Sequence, residues 1–118
     1  MSRILFADDE PEQLGLHKML LEAAGQQVRA ALEPAAALAE IEGGWPELLI
    51  MDLCLPTASA GLALIRRIRE CGSTVPIVVL SGWPEDIYLR AEEKMVARVL
   101  VKPVPVAELL EAIGQVAG

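Results

Sequence analysis

The chain has few aromatic residues: one Phe, one Tyr and two Trp in 118 residues, 3% of the total. Its core cannot be organised around large rings, so Leu, Ile, Val and Ala must fill it. With 53% hydrophobic residues, there is enough apolar material for a packed core, which excludes intrinsic disorder. Cysteine is also scarce. Cys54 and Cys71 do not make the disulfide framework of a small secreted domain, and both are expected as free thiols in a reducing cytosol. Basic residues are few: 10 Lys and Arg stand against 17 Asp and Glu, a net charge of −7. Nucleic acids and anionic lipid surfaces call for clustered cations, so direct binding to either is disfavoured. No apolar run approaches the ~20 residues of a membrane span. No basic segment followed by a long apolar stretch opens the chain, so no signal peptide is read and a cytoplasmic location is expected.

What is present is a repeating alternation of strand and helix. Short aliphatic runs at about 3–7, 27–31, 47–51, 76–80 and 97–101 read as buried strands. Between and after them, helices are predicted at about 11–24, 34–42, 60–71, 84–94 and 105–117. Pro11 suits a first helical turn, and Gly25 and Gly43-Gly44 suit helix ends. The segment 84–94 has few apolar positions (Ile87, Tyr88, Ala91) and is expected to be the most weakly held helix. Such alternation implies right-handed crossovers and a parallel sheet with helices on both faces. No repeat, linker or low-complexity stretch appears, and a single domain over 1–118 is expected.

Polar residues follow the apolar runs. Asp8-Asp9 follows ILFA, Asp52 follows LLIM, Ser81 follows IVVL and Lys102 follows VLV. In an open parallel sheet, ligands bind beyond the carboxyl ends of the strands. If these strands are neighbours, three carboxylates, a hydroxyl and an ammonium converge on one crevice. Crowded carboxylates repel and raise one another's pKa. A hard divalent cation relieves this, and Mg²⁺ needs only one or two carboxylates. A carboxylate can also be a nucleophile and form an acyl phosphate. The metal, Lys102 and the Ser81 hydroxyl would then face the phosphoryl oxygens.

ADDEP at 7–11, MDLCLP at 51–56, LSG at 80–82 and VKP at 101–103 together resemble the receiver domain of two-component response regulators, in order and over the whole chain. The resemblance implies an α/β doubly wound sandwich whose five-stranded parallel sheet has the flavodoxin-like order 2-1-3-4-5. It implies Asp52 as phosphoacceptor, Asp9 as a direct Mg²⁺ ligand, Asp8 supporting the metal, and the Cys54 backbone carbonyl as a further ligand beside Asp52. Ser81 and Lys102 would bind the phosphoryl group, and the bond before Pro103 would be cis. The implied partners are a histidine kinase or phosphotransfer protein and an output partner or effector domain outside this chain. The domain would catalyse only its own phosphorylation and dephosphorylation, with no separate substrate. Three departures stand out. Val99 occupies the switch position where the family usually has Tyr or Phe. Gly61 falls one residue later than usual. Met95 and Val96 replace a small-residue pair.

Blander readings compete at individual residues. Asp8 and Asp9 could serve only the dipole of the first helix, Ser81 only as an N-cap, and Lys102 only as a solvated strand end. His17 reads as a half-buried residue of an amphipathic helix rather than a phosphohistidine. Cys54 reads as a small hydrophobe lining the site, Trp83 as a rim residue and Trp45 as structural. At the level of function, the alternative is a pseudo-receiver that binds proteins without phosphorylation. A dehalogenase-type phosphatase lacks its Asp-x-Asp-x-Thr motif here, and a flavodoxin lacks its Ser/Thr-rich loop.

Overall fold

The computed structural model describes residues 2–117; Met1 and Gly118 of the expected 1–118 domain lie outside the described residues. Five strands form one parallel sheet: β1 (Arg3–Ala7), β2 (Gln27–Ala31), β3 (Leu48–Asp52), β4 (Ile77–Ser81) and β5 (Arg98–Val101). Their spatial order is β2-β1-β3-β4-β5, as expected. Four helices accompany them: α1 (Pro11–Ala23), α2 (Pro34–Glu42), α3 (Ala58–Glu70) and α4 (Val106–Ala117).

Side chains alternate along each strand, so the aliphatic runs divide into two cores. Leu5, Ala7, Leu49, Met51, Ile77 and Val79 point one way and pack against α2 and α3. Ile4, Phe6, Leu48, Ile50, Val78 and Leu80 point the other way and pack against α1 and α4. Every residue of β3 and β4 is buried, because helices cover both faces.

Local chemistry starts and stops the helices. Pro11 and Pro34 lie in the first turns of α1 and α2, where a missing N–H costs nothing. Thr57 caps α3, its hydroxyl accepting from the Ala60 amide at 3.1 Å. Gly25, just beyond α1, has φ 95°, a backbone glycine adopts freely. Helix α3 begins at Ala58 rather than near 60, and Gly61 has a packing role there. A Cβ at that position would lie 1.8 Å from the Leu53 carbonyl oxygen. Only hydrogen fits between α3 and the chain leaving β3.

One expectation fails. The helix predicted over 84–94 is replaced by two short 3₁₀ turns, Pro84–Asp86 and Ala91–Met95. Between them Leu89 is fully exposed and has φ 65°. The cause is tertiary. Two arginines of α3 reach across to the second turn. Arg66 donates to Glu92 at 2.6 Å, and the Arg69 guanidinium donates to the Met95 carbonyl at 2.6 and 3.1 Å. These bonds fix the end of the segment against α3 in a path that a continuous helix does not follow.

Candidate functional site

The register carries the polar strand ends into one crevice. Asp52 closes β3 opposite Leu80, and Ser81 closes β4 opposite Val101. Ala7 pairs with Met51, so Asp8 emerges beside Asp52. Lys102 follows β5. All the residues singled out in the sequence at strand ends therefore meet at the carboxyl edge.

Their environments differ. Asp8, Asp52 and Ser81 are buried, Asp9 and Lys102 are half-buried, and Cys54 is exposed. Asp52 is held at both oxygens. Oδ1 accepts from the Cys54 amide at 3.1 Å, and Oδ2 accepts from the Lys102 ammonium in a close ion pair. Asp8 accepts from the Glu10 amide at 3.0 Å. Its carboxyl is pushed above its ordinary range, first by burial, with the Asp52 and Asp9 charges adding to the rise. The Glu10 amide and Lys102 oppose that shift without cancelling it. The crevice thus carries more negative charge than Lys102 neutralises.

That excess is what a divalent cation would relieve. Among the described residues no three His, Cys, Asp or Glu side chains are gathered as a metal cage. Mg²⁺ does not need one, because it keeps several waters and binds through one or two carboxylates. The donor set of Asp8, Asp9 and Asp52 with the backbone carbonyl of Cys54 fits such an ion. The Cys54 thiol is raised by desolvation and then by the Asp52 and Asp86 carboxylates, so it stays protonated and poorly nucleophilic.

Ser81 presents its hydroxyl to the same crevice, and its Oγ accepts from the Trp83 amide at 3.0 Å. The indole of Trp83 is exposed at the rim. On the α1 side, a cavity of about 420 Å³ is lined by Leu16, His17, Lys102, Pro103 and Val104 among others. His17 stacks on Phe6 at 5.0 Å, and its Nδ1 is buried without a partner. It faces neither Asp52 nor Lys102 with a hydrogen bond. The Lys102–Pro103 bond is cis, as expected, and so is Leu55–Pro56, which the sequence reading did not anticipate. Trp45 is structural: Arg29 lies 4.3 Å over its ring, and Arg3 donates to its carbonyl at 2.7 Å. The reading of the sequence missed Gly61, whose spacing from Asp52 was noted but whose close contact with Leu53 was not.

The chain matches the response regulator receiver domain family over residues 4–114. It is 33% identical over 120 residues to an uncharacterized 14.6 kDa protein of Leptolyngbya boryana, covering 95% of this chain and 87% of that protein. It is 35% identical over 80 residues to the transcriptional regulatory protein TrcR of Mycobacterium tuberculosis, covering 68% of this chain and 31% of TrcR. The nitrogen assimilation regulatory protein NtrX of Azorhizobium caulinodans is matched over 67% of this chain but 18% of its own length. The chain spans a third or less of the length of these two regulators. Among solved structures, a receiver domain protein from Clostridium thermocellum superposes with a TM-score of 0.88 at 26% identity, covering 99% of this chain and 94% of that one. The response regulator TrrA of Thermotoga maritima, solved with Mg²⁺ and beryllofluoride, gives 0.86 at 26% identity, with 98% and 99% coverage. The fold, the strand-end acid, hydroxyl and lysine groups, and the match along nearly the whole chain agree: the chain belongs to the response regulator receiver domain family.

Proposed function

We propose that this domain accepts a phosphoryl group on Asp52 from a histidine kinase or phosphotransfer protein, with Mg²⁺ bound, and alters its outer surface in response. One observation carries the reading. A buried carboxylate is paired with a lysine 50 residues away in sequence, beside a second buried carboxylate and a buried hydroxyl. Structural ion pairs are not usually set beside uncompensated acids, whereas a phosphoryl-transfer site needs all of these groups.

The steps follow from the contacts. The Cys54 amide orients the Asp52 carboxylate. A carboxylate oxygen attacks the donor phosphorus, the new P–O bond forms, and the donor's bond to phosphorus breaks with its electron pair leaving on the donor. Asp52 loses its charge in becoming an acyl phosphate. The Lys102 ammonium, until then paired with that charge, turns to a phosphoryl oxygen. The Ser81 hydroxyl donates to another. Bound through Asp8, Asp9, Asp52 and the Cys54 carbonyl, Mg²⁺ would neutralise charge building on the phosphoryl oxygens. Hydrolysis reverses the modification: water attacks phosphorus, the bond to Asp52 breaks, and inorganic phosphate leaves. The domain has no further substrate. The Mg²⁺ and beryllofluoride bound to TrrA support extending this chemistry to the present chain.

TrcR and NtrX are regulatory proteins, which supports an effector partner outside this chain, with any DNA contact made there. Among the described residues no helix is long and apolar enough to cross a membrane, and both cysteines are free. These features support a cytoplasmic setting.

The test is intact mass after incubation with acetyl phosphate and Mg²⁺. Wild type is expected to gain one phosphoryl group and Asp52→Asn none. A wild type that gains nothing with acetyl phosphate or beryllofluoride supports the second reading, a pseudo-receiver that binds partners unmodified. Val99 at the usual aromatic switch position and the missing helix at 84–94 are the observations that favour it.

A further inference from the structure

Residues 84–95 present a conflict between local preference and observed structure. Pro84 suits a first helical turn, and Glu85 and Asp86 suit its dipole. Leu89, Arg90, Ala91, Glu92, Glu93, Lys94 and Met95 are good helix formers, with no glycine or internal proline among them. At helical spacing Ile87, Ala91 and Met95 share one face. Yet the segment is broken at Leu89, whose φ of 65° is one that a bulky L residue avoids. Leu89 is fully exposed, so no burial of its side chain compensates.

The broken form is held from outside. Apart from Asp8, Asp52 and Ser81 of the site, Glu92 is the one buried polar or charged residue among those described, and Arg66 is its partner. Arg69 fixes the Met95 carbonyl beside it. Both ends of the segment are tied to the site. At one end the Trp83 amide donates to the Ser81 hydroxyl oxygen. At the other, β5 leads directly into Lys102.

We propose that residues 83–97 are a two-state element. In one state the segment is broken and latched by Arg66 and Arg69. In the other it is a continuous helix over about 84–94, which forms when the latch opens. The trigger rests on the function proposed above: a Ser81 hydroxyl drawn to a phosphoryl oxygen releases the Trp83 amide, and a Lys102 that leaves Asp52 moves the far end. The element takes the place of the aromatic switch that Val99 cannot supply. It exchanges a surface bearing Tyr88 and Leu89 for a helix face. The latch itself needs no phosphorylation.

Backbone Cα chemical shifts across 84–95 read the two states directly. Three samples of the whole chain are compared. Arg66→Ala removes the partner of buried Glu92, so helical shifts are expected across 84–94 without any phosphoryl mimic. Leu89→Gly relieves the strained φ of the broken form, so it is expected to keep the broken pattern even with Mg²⁺ and beryllofluoride. Because Leu89 is wholly exposed, this variant does not endanger folding. Wild type is expected to gain helical shifts when Mg²⁺ and beryllofluoride are added. Random-coil shifts in Arg66→Ala, or unchanged wild-type shifts there, overturn the latch. If Arg66→Ala fails to fold, a Leu89→Gly protein that still becomes helical on beryllofluoride overturns it instead. A helix in Arg66→Ala with no response of wild type to bound beryllofluoride leaves the latch standing and overturns Asp52 as its trigger.

Discussion

The two sides of the site are built differently. On the β1–β3 side, Asp8, Asp9 and Asp52 stand at the ends of strands that lead into full helices. Proline starts α1, Thr57 caps α3, and α3 touches the Leu53 backbone through Gly61. On the β4–β5 side, Ser81 and Lys102 border a segment with two 3₁₀ turns, one exposed strained residue and one wholly buried anchor, Ile87. Groups that must hold a fixed constellation of negative charge sit on the stiff side. The groups that move in the proposed reaction, Ser81 and Lys102, border the soft side. A switch needs both, because a trigger acts only on an element with two arrangements near in energy.

Glycine substitutions test the contrast most harshly. Gly61→Ala places a methyl group inside the Leu53 carbonyl and is expected to lose about 3 kcal/mol or more. Gly82→Ala meets nothing within 4 Å and should stay within about 0.5 kcal/mol. Urea melts of the pair would break the comparison if the two losses were equal.

Core truncation sharpens it. Ile65 and Ile87 are both fully buried. Ile65→Ala opens a cavity between stiff layers and is expected to cost roughly 4 kcal/mol, whereas the segment around Ile87 can collapse and limit its loss to about 2 kcal/mol. Equal midpoint shifts in denaturant would show the segment to be as rigid as α3.

Lys102→Ala should keep the fold, because Lys102 is only half-buried, and lose roughly 1 to 3 kcal/mol for the unpaired Asp52 carboxylate. Mass spectrometry should still detect phosphoryl uptake, while the exposed Trp83 should no longer change its emission on beryllofluoride, measured in a Trp45→Phe background. An undiminished emission change would remove Lys102 from the coupling.

The smallest effects are in pH. The Glu92 carboxyl is held below its ordinary value of 4.5, first by the Arg66 hydrogen bond. Its contribution is complete above that value and is lost as pH falls through the lower folded value. Asp8 has the opposite sign. Raised from 3.8, it opposes folding increasingly as pH rises from there through its higher folded value. Arg66→Ala should therefore flatten the acid limb of stability, while Asp8→Asn should raise the metal-free melting midpoint at neutral pH. Thermal melts from pH 3 to 8 check both.

Most of this was legible in the chain. β1, β3, β4 and β5 are short aliphatic runs that end in or lead into a polar residue, and burial on both faces of β3 and β4 leaves that pattern little alternative. Even β2, with only Val28 and Ala31 buried, fell where the run suggested. The acidic, hydroxyl and lysine groups were legible for the same reason, since strand ends place them. Three features were not, the cis Leu55–Pro56 bond among them. The path of 84–94 is tied to Arg66 and Arg69, which lie on another element, α3. The need for glycine at 61 comes from a backbone contact with Leu53, and a sequence records no such distance.

The Lys102–Asp52 pair has a further consequence when viewed as competition. The domain carries its own ligand for the Asp52 carboxylate, supplied at an effective concentration that the registers of β3, β4 and β5 fix. Nothing in solution dilutes it. In the proposed reaction an incoming phosphoryl group must win Lys102 away from the carboxylate in the same event that removes the carboxylate's charge. Weakly bound bystander anions cannot do the second and so cannot readily do the first. On the function proposed above, Lys102 would thereby act as a threshold: it would discriminate by whether a covalent bond to Asp52 is made, and anions that merely visit would leave the pair closed.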